Sequence, residues 1–296
     1  MRLIRFLGPE GPRLGVLRDE ETITDVTGAG LPADTATLLA SGPDALDRVR
    51  AAIDHGGRGL REVARAEVRV LAPVPRPPKF LAIGLNYADH VAESDTPKPE
   101  HQLWFNKQST CVVGPGDPIH VPKASSVVDY EGELAFVIGR RCRHVPAERA
   151  REVVAGYTIV NDVSVRDWQR RTPTMTMGKS FDTHGPMGPV LVTPDELGDP
   201  HGLRLRTWVN DDLRQDSSTE HLIFDCWQMI EHLSTAFTLE PGDVISTGTP
   251  AGVGIARTPP LLLRDGDAVR IEIEGIGVLQ NPVIDEPGST PMGFDA

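Results

Sequence analysis

The chain has no stretch approaching the roughly 18 consecutive apolar residues that read as a membrane span. Its opening run Met1-Arg-Leu-Ile-Arg-Phe-Leu-Gly8 is broken by Arg5 and Gly8 before a secretory apolar core develops. Cysteine is scarce: Cys111, Cys142 and Cys226 are odd in number, widely spaced and without a CxxC pair. That excludes a disulfide framework and points to a reducing, cytoplasmic setting. Positive charge is also short, with 30 Lys and Arg against 42 Asp and Glu for a formal net charge of -12. Such a balance opposes the phosphate neutralisation on which nucleic-acid binding depends. Neither nucleic acid nor membrane is an expected partner, and part of the excess acidity suits the holding of a cation.

What remains is an ordinary globular composition, 39% hydrophobic and 24% charged over 296 residues, long enough for about two domains. Residues 1–72 read as a small N-terminal α/β unit. Short strands are expected at 3–7, 14–18 and 22–26, with helices at 35–40 and 44–55, the second ending at Gly56-Gly57. Ala72-Pro-Val-Pro-Arg-Pro-Pro78 carries four prolines, which remove backbone donors and fix φ, so 73–79 reads as a linker. From 80 to 284 short apolar runs alternate with Gly, Pro and Asp turns, the pattern of a β-rich sandwich or roll. Helices are expected there at 147–154 and 224–233, with a helical turn beginning near Tyr87. The Pro-, Gly- and Ser-Thr-rich 285–296 is expected to fray. The fold class is accordingly α+β and β-rich.

Four clusters carry chemistry. In Asp129-Tyr-Glu-Gly-Glu-Leu-Ala-Phe-Val-Ile-Gly139, Glu131 and Glu133 sit at i and i+2 before an apolar run, hence on one face of a strand. Paired anions ask for a cation, although an isolated ExE is as a rule a solvated strand end. Asp162, closing the apolar run 156–161, supplies a third carboxylate. With no Cys or His cluster nearby, the three specify a hard oxygen-liganded ion such as Mg²⁺, Mn²⁺ or Ca²⁺. Alone, Asp162 equally reads as a turn cap.

In Gly84-Leu-Asn-Tyr-Ala-Asp-His-Val-Ala-Glu93, His90 and Glu93 share a helix face, and a carboxylate beside an imidazole orients a general base. The plain alternative is a surface contact. Arg166 and Gln169 follow Asp162, and Lys179 lies among flexible turns. Arg166 and Lys179 suit a substrate carboxylate and enolate oxygen, or equally salt bridges to Asp167 or Asp182. In Pro241-Gly-Asp-Val-Ile-Ser-Thr-Gly-Thr-Pro-Ala-Gly-Val-Gly254 a strand enters a glycine-rich loop in which Thr249 offers a hydroxyl to an anion. The loop lacks the Gly-Lys-Ser/Thr ending of a nucleotide-binding P-loop.

In this order, GLNYADHVAE, DYEGELAFVIG, VNDVSVRDWQ with GKSFDTHGPMGP, and GDVISTGTPAGVG resemble the fumarylacetoacetate hydrolase family over about residues 78–283, especially its acylpyruvate and diketo-sugar-acid hydrolases. The resemblance implies a mixed β-sandwich-roll catalytic domain, usually homodimeric, with Mg²⁺ or Mn²⁺. It matches Glu131, Glu133 and Asp162 to metal ligands and His90 and Glu93 to the water-activating pair. Lys179, Arg166, Gln169 and Thr249 fall at substrate-contacting positions, Lys179 assisting the departing enolate. Leu85 departs from the pattern, standing where several relatives carry Arg. The implied activity is hydrolysis of a C–C bond in an acylpyruvate or related 1,3-diketo acid, giving a carboxylic acid and a 2-oxo acid. A decarboxylase or isomerase acting on oxaloacetate-like or hydroxy-dienedioate acids is the alternative. A catalytically silent protein holding structural Ca²⁺ is a lesser one.

Overall fold

The computed structural model describes residues 1–94 and 96–288. A sheet of 12 strands forms its frame. Along the main path lie Arg61–Ala64, Thr22–Asp25, Gly11–Leu17, Arg2–Gly8, Gly185–Val192, Val154–Asn161, Gly132–Ile138, Val244–Ser246, Phe80–Gly84 and Leu103–Lys107. The proline stretch 73–79 separates the first strands from the rest along the chain. In space they are joined, because Arg2 pairs with Val192 and Leu3 with Leu191. The expected helices at 35–40 and 44–55 form as Thr35–Ala40 and Ala45–Asp54, and the turn near Tyr87 is the helix Ala88–Glu93. The helix expected at 147–154 is instead a 3-10 run, Ala147–Val153, which closes on Val154 as the next strand begins.

A second sheet of five strands, Asp212–Ser218, Arg204–Val209, Ala268–Ile273, Gly277–Asp285 and Ile119–Val121, packs against the first. Between them the 132–138 strand is buried on both faces. Leu134, Phe136 and Ile138 join one apolar cluster, and Ala135 and Val137 the other. That is why this stretch reads as a continuous apolar run rather than an alternating one. Asp285 closes the last strand, and the Glu286 N–H donates to the Val121 carbonyl. Most of the tail expected to fray, residues 289–296, lies outside the described residues. Among the described residues no helix is long and apolar enough to cross a membrane.

Candidate metal centre

The carboxylates are aligned by strand register. Gly132 pairs with Asn161 and Glu133 with Val160, and the Asp162 N–H donates to the Glu131 carbonyl at 2.8 Å. Alternation along the strand turns Glu131 and Glu133 to one side and Gly132 to the other. On that other side the second sheet comes so near that a Cβ on Gly132 would stand 2.3 Å from Thr207 Oγ1. Only glycine fits between the two glutamates. The result is a buried triad, Glu131, Glu133 and Asp162, with one oxygen of each within 4.8 Å of the others.

Three buried cations surround it. Lys179 Nζ bridges Glu131 Oε2 at 2.5 Å and Asp162 Oδ2 at 2.6 Å. Arg166 pairs through Nη1 with Glu131 Oε1 at 2.6 Å, and its Nε donates to Asp129 Oδ2 at 2.9 Å. Lys107 Nζ lies 2.7 Å from Asp162 Oδ1, out of line for a hydrogen bond to that oxygen, and donates instead to the Lys179 carbonyl. The alternatives of Asp167 and Asp182 as partners are not realised. Asp167 accepts from Ser125 Oγ and lies 3.6 Å from Arg171.

Electrostatically the triad is uneven. Burial alone would raise Glu131, but Lys179 and Arg166 hold it down at about 2. Glu133 makes no ion pair among the described residues, and Lys179 lowers it only weakly against the opposing causes. Burial first, then the charges of Asp162 and Glu131, push its carboxyl well above the ordinary value, although Ser246 Oγ and the Gly248 N–H both donate to its Oε2. Burial works against the Lys179 ammonium, yet Asp162 and Glu131 raise it. Neighbouring His184 is pushed down to about 4 by burial, so it stays neutral and adds no charge. Four buried carboxylates, counting Asp129, face three cations. An all-oxygen donor set with one uncompensated anion fits a hard divalent cation.

His90 and Glu93 share the 88–93 helix as expected, with Nδ1 3.4 Å from Glu93 Oε2. The Gly252 N–H donates to both Glu93 oxygens, at 2.9 and 3.0 Å, so the glycine-rich loop holds the carboxylate. Gly252 has φ +106, and a Cβ there would meet the Arg214 carbonyl at 2.1 Å. Gly252→Ala is therefore expected to cost about 1–3 kcal/mol of stability and to loosen Glu93. Chemical denaturation checks this, and an unchanged midpoint would contradict the close approach.

Thr249 Oγ1 donates to the Gly132 carbonyl and accepts from Gln215 Nε2, so its hydroxyl also braces the ligand strand. His90, Glu131, Glu133, Arg166, Gln169, Lys179 and Thr249 all line one chamber of about 210 Å³. It opens into an outer vestibule of about 640 Å³ through shared walls at His90, Leu103, Arg166, Gln169 and Met175. Sequence reading overlooked Lys107, Asp129, Asn86 and Gln215. Asp129 and Asn86 lie inside the quoted motifs, where a polar residue flanking an apolar run was the available signal. The Asn86 amide donates to the Phe224 and Thr247 carbonyls, tying the 84–90 turn to the glycine-rich loop.

The family described as fumarylacetoacetate (FAA) hydrolase C-terminal matches residues 79–284. Over 291 residues the chain is 42% identical to the mitochondrial oxaloacetate tautomerase fahd2 of Xenopus laevis, a match covering 96% of this chain and 90% of that protein. Among solved structures it is similar to the fumarylacetoacetate hydrolase of psychrophilic Exiguobacterium antarcticum, with 38% identity and a TM-score of 0.83. It is also similar to the maleylpyruvate hydrolase of Sphingobium sp. SYK-6 in complex with manganese(II) and pyruvate, with 34% identity and a TM-score of 0.80. Each of those two matches covers 97% of this chain and 100% of the other.

Proposed function

The chain belongs to the fumarylacetoacetate hydrolase family, and from that premise we propose that it is a divalent-cation-dependent enzyme interconverting the enol and keto forms of an oxaloacetate-class 2-oxo acid. The observation that carries this reading is Lys179 bridging Glu131 and Asp162 inside the chamber, beside the uncompensated Glu133. The tautomerase relative, 42% identical, supports it. Glu131, Glu133 and Asp162 would hold Mg²⁺ or Mn²⁺. When bound, the cation supplies a Lewis acid that stabilises charge on the 2-oxo oxygen.

The chain's own groups do the rest. Lys179, kept protonated by its two carboxylates, offers a fixed positive charge to developing enolate character. His90 engages Glu93 through Nδ1, and no bond to its Nε2 occurs among the described residues. The Nε2 is thus available to take the enol O–H proton and to return a proton to C3. Gln169, which accepts from Arg166 Nη1 at 3.0 Å, orients the guanidinium at the chamber wall, where it can meet the substrate carboxylate.

The direct test follows the decay of the oxaloacetate enol absorbance with purified enzyme, with and without chelator. Acceleration that EDTA removes and Mn²⁺ restores is expected; an unaltered decay would refute the reading. His90→Ala should lower the rate by about 10²–10⁴-fold while Mn²⁺ affinity, measured by calorimetry, stays in place because His90 is outside the ligand set. Full activity in that variant would remove His90 from proton transfer.

Hydrolysis of a 3-acylpyruvate is the second reading, favoured specifically by the His90–Glu93 pair, which is arranged as a base for water. Product mass separates the two. Tautomerisation leaves the mass unchanged, whereas hydrolysis adds one water and releases two acids.

A further inference from the structure

We propose that Arg170, at the mouth of the chamber, is a specificity-determining residue that binds the distal carboxylate and so selects a dicarboxylic over a monocarboxylic 2-oxo acid. The inference rests on the 2-oxo acid reading above and adds the substrate's far end to it.

Charge bookkeeping inside the chamber comes first. Lys107, Arg166 and Lys179 are each within 2.5–2.8 Å of a carboxylate of the cluster Asp129, Glu131 and Asp162, and Glu133 is the anion left over. A divalent cation would turn that surplus into one net positive charge. It suffices for the carboxylate beside the 2-oxo group and leaves nothing for a second anion. The rest of the lining is largely apolar, with Ile83, Leu85, Leu103, Phe105 and Met175. A second carboxylate pressed against it would be desolvated without a partner, a costly state. Leu85 is one of these apolar lining residues and offers no charge.

The vestibule has what the chamber lacks. It continues the chamber outward through the side chains they share, and Arg170 lines it. The Arg170 N–H donates to the Arg166 carbonyl at 3.2 Å, so its backbone is fixed at the end of the helix Arg166–Gln169. Its side chain makes no ion pair and no hydrogen bond among the described residues. The adjacent Arg171 is fully occupied, stacked over the Trp168 ring at 3.9 Å and 3.6 Å from Asp167. Glu93, the carboxylate of the vestibule, is taken by the Gly252 N–H and His90. A guanidinium lining the vestibule and unpaired among the described residues presents a bidentate fork to a carboxylate.

The test is calorimetric binding to the Mn²⁺-loaded protein of two matched pairs: oxaloacetate against 2-oxobutyrate, and 2-oxoglutarate against 2-oxopentanoate. The wild type should bind the dicarboxylic member of at least one pair about tenfold more tightly or better. Arg170→Ala should abolish that preference, Arg170→Lys keep part of it, and Arg170→Glu reverse it. Unfolding midpoints of these exposed-site variants control for folding. Equal binding of both members by the wild type, or an undiminished preference in Arg170→Ala, would overturn the assignment while leaving the 2-oxo acid reading intact. Binding of neither member would overturn both.

Discussion

Lys179→Met is expected to lose about 3–5 kcal/mol of stability in the metal-free protein and about 10²–10³-fold in turnover of the loaded enzyme. The cause is the position of its ammonium, 2.5 Å from Glu131 and 2.6 Å from Asp162, all three groups being buried. Without it two carboxylates face each other beside a third. Glu131 is held at about 2 chiefly by Lys179 and Arg166 against the effect of burial, so the variant's Glu131 should take up a proton far more readily. A carboxyl with a depressed folded pKa contributes stability that is present above its unfolded value of about 4.5 and lost as pH falls toward 2. Removing Lys179 deletes that contribution. The difference between wild type and variant should therefore be largest near neutral pH and shrink as pH falls through the 4.5–2 window. Mn²⁺ should rescue more stability in the variant than in the wild type, because it supplies the missing positive charge. Denaturant unfolding at pH 8 and pH 4, with and without Mn²⁺, reads all of this; coincident curves for the two proteins would contradict the buried bridge.

Glu133→Gln should behave in the opposite way, weakening Mn²⁺ binding by at least about 100-fold while leaving the metal-free protein as stable as before or more so. Burial and the charges of Asp162 and Glu131 keep the Glu133 carboxyl protonated well above the ordinary range, and a glutamine mimics that protonated form. Its oxygen can still accept from Ser246 Oγ and the Gly248 N–H. For a group raised in the folded state, stability is fully present below the unfolded value of 4.5 and is lost as pH rises through the folded value. The metal-free wild type should thus lose stability with rising pH in that region, and the variant's curve should be flatter. Metal binding must expel the Glu133 proton, so wild-type affinity should rise with pH. Calorimetry at several pH values measures both effects, and wild-type affinity in Glu133→Gln would exclude Glu133 as a ligand.

How far the site was legible depended on whether a residue's environment is local. Glu131 and Glu133 declared themselves through spacing on a strand, and Asp162 by following an apolar run; register alone then brings them together. Lys107 did not, because Leu-Trp-Phe-Asn-Lys has no clear alternation, and the buried ammonium makes sense only beside Asp162, distant in sequence. Gln215 lies in the almost wholly polar strand Asp212–Ser218, which exists because Arg204–Val209 pairs with it. The union of the N-terminal strands with the main sheet through Arg2 and Val192 is likewise a long-range pairing with no local signature. The fold class and motif-borne clusters were legible, and of the three buried cations Arg166 and Lys179 were too, whereas Lys107 was not. Arg166 illustrates the boundary: its type and place could be read, but its commitment to Asp129 and Glu131 could not.

The missing side chain at Gly132 has a wider consequence. With Thr207 leaving no room there for even a methyl group, the strand bearing two of the acidic groups cannot slide or swell without parting two sheets. The separation of the two carboxylates is thereby set by the scaffold. The rim is freer, because an exposed side chain such as Arg170 can be exchanged without disturbing the interior.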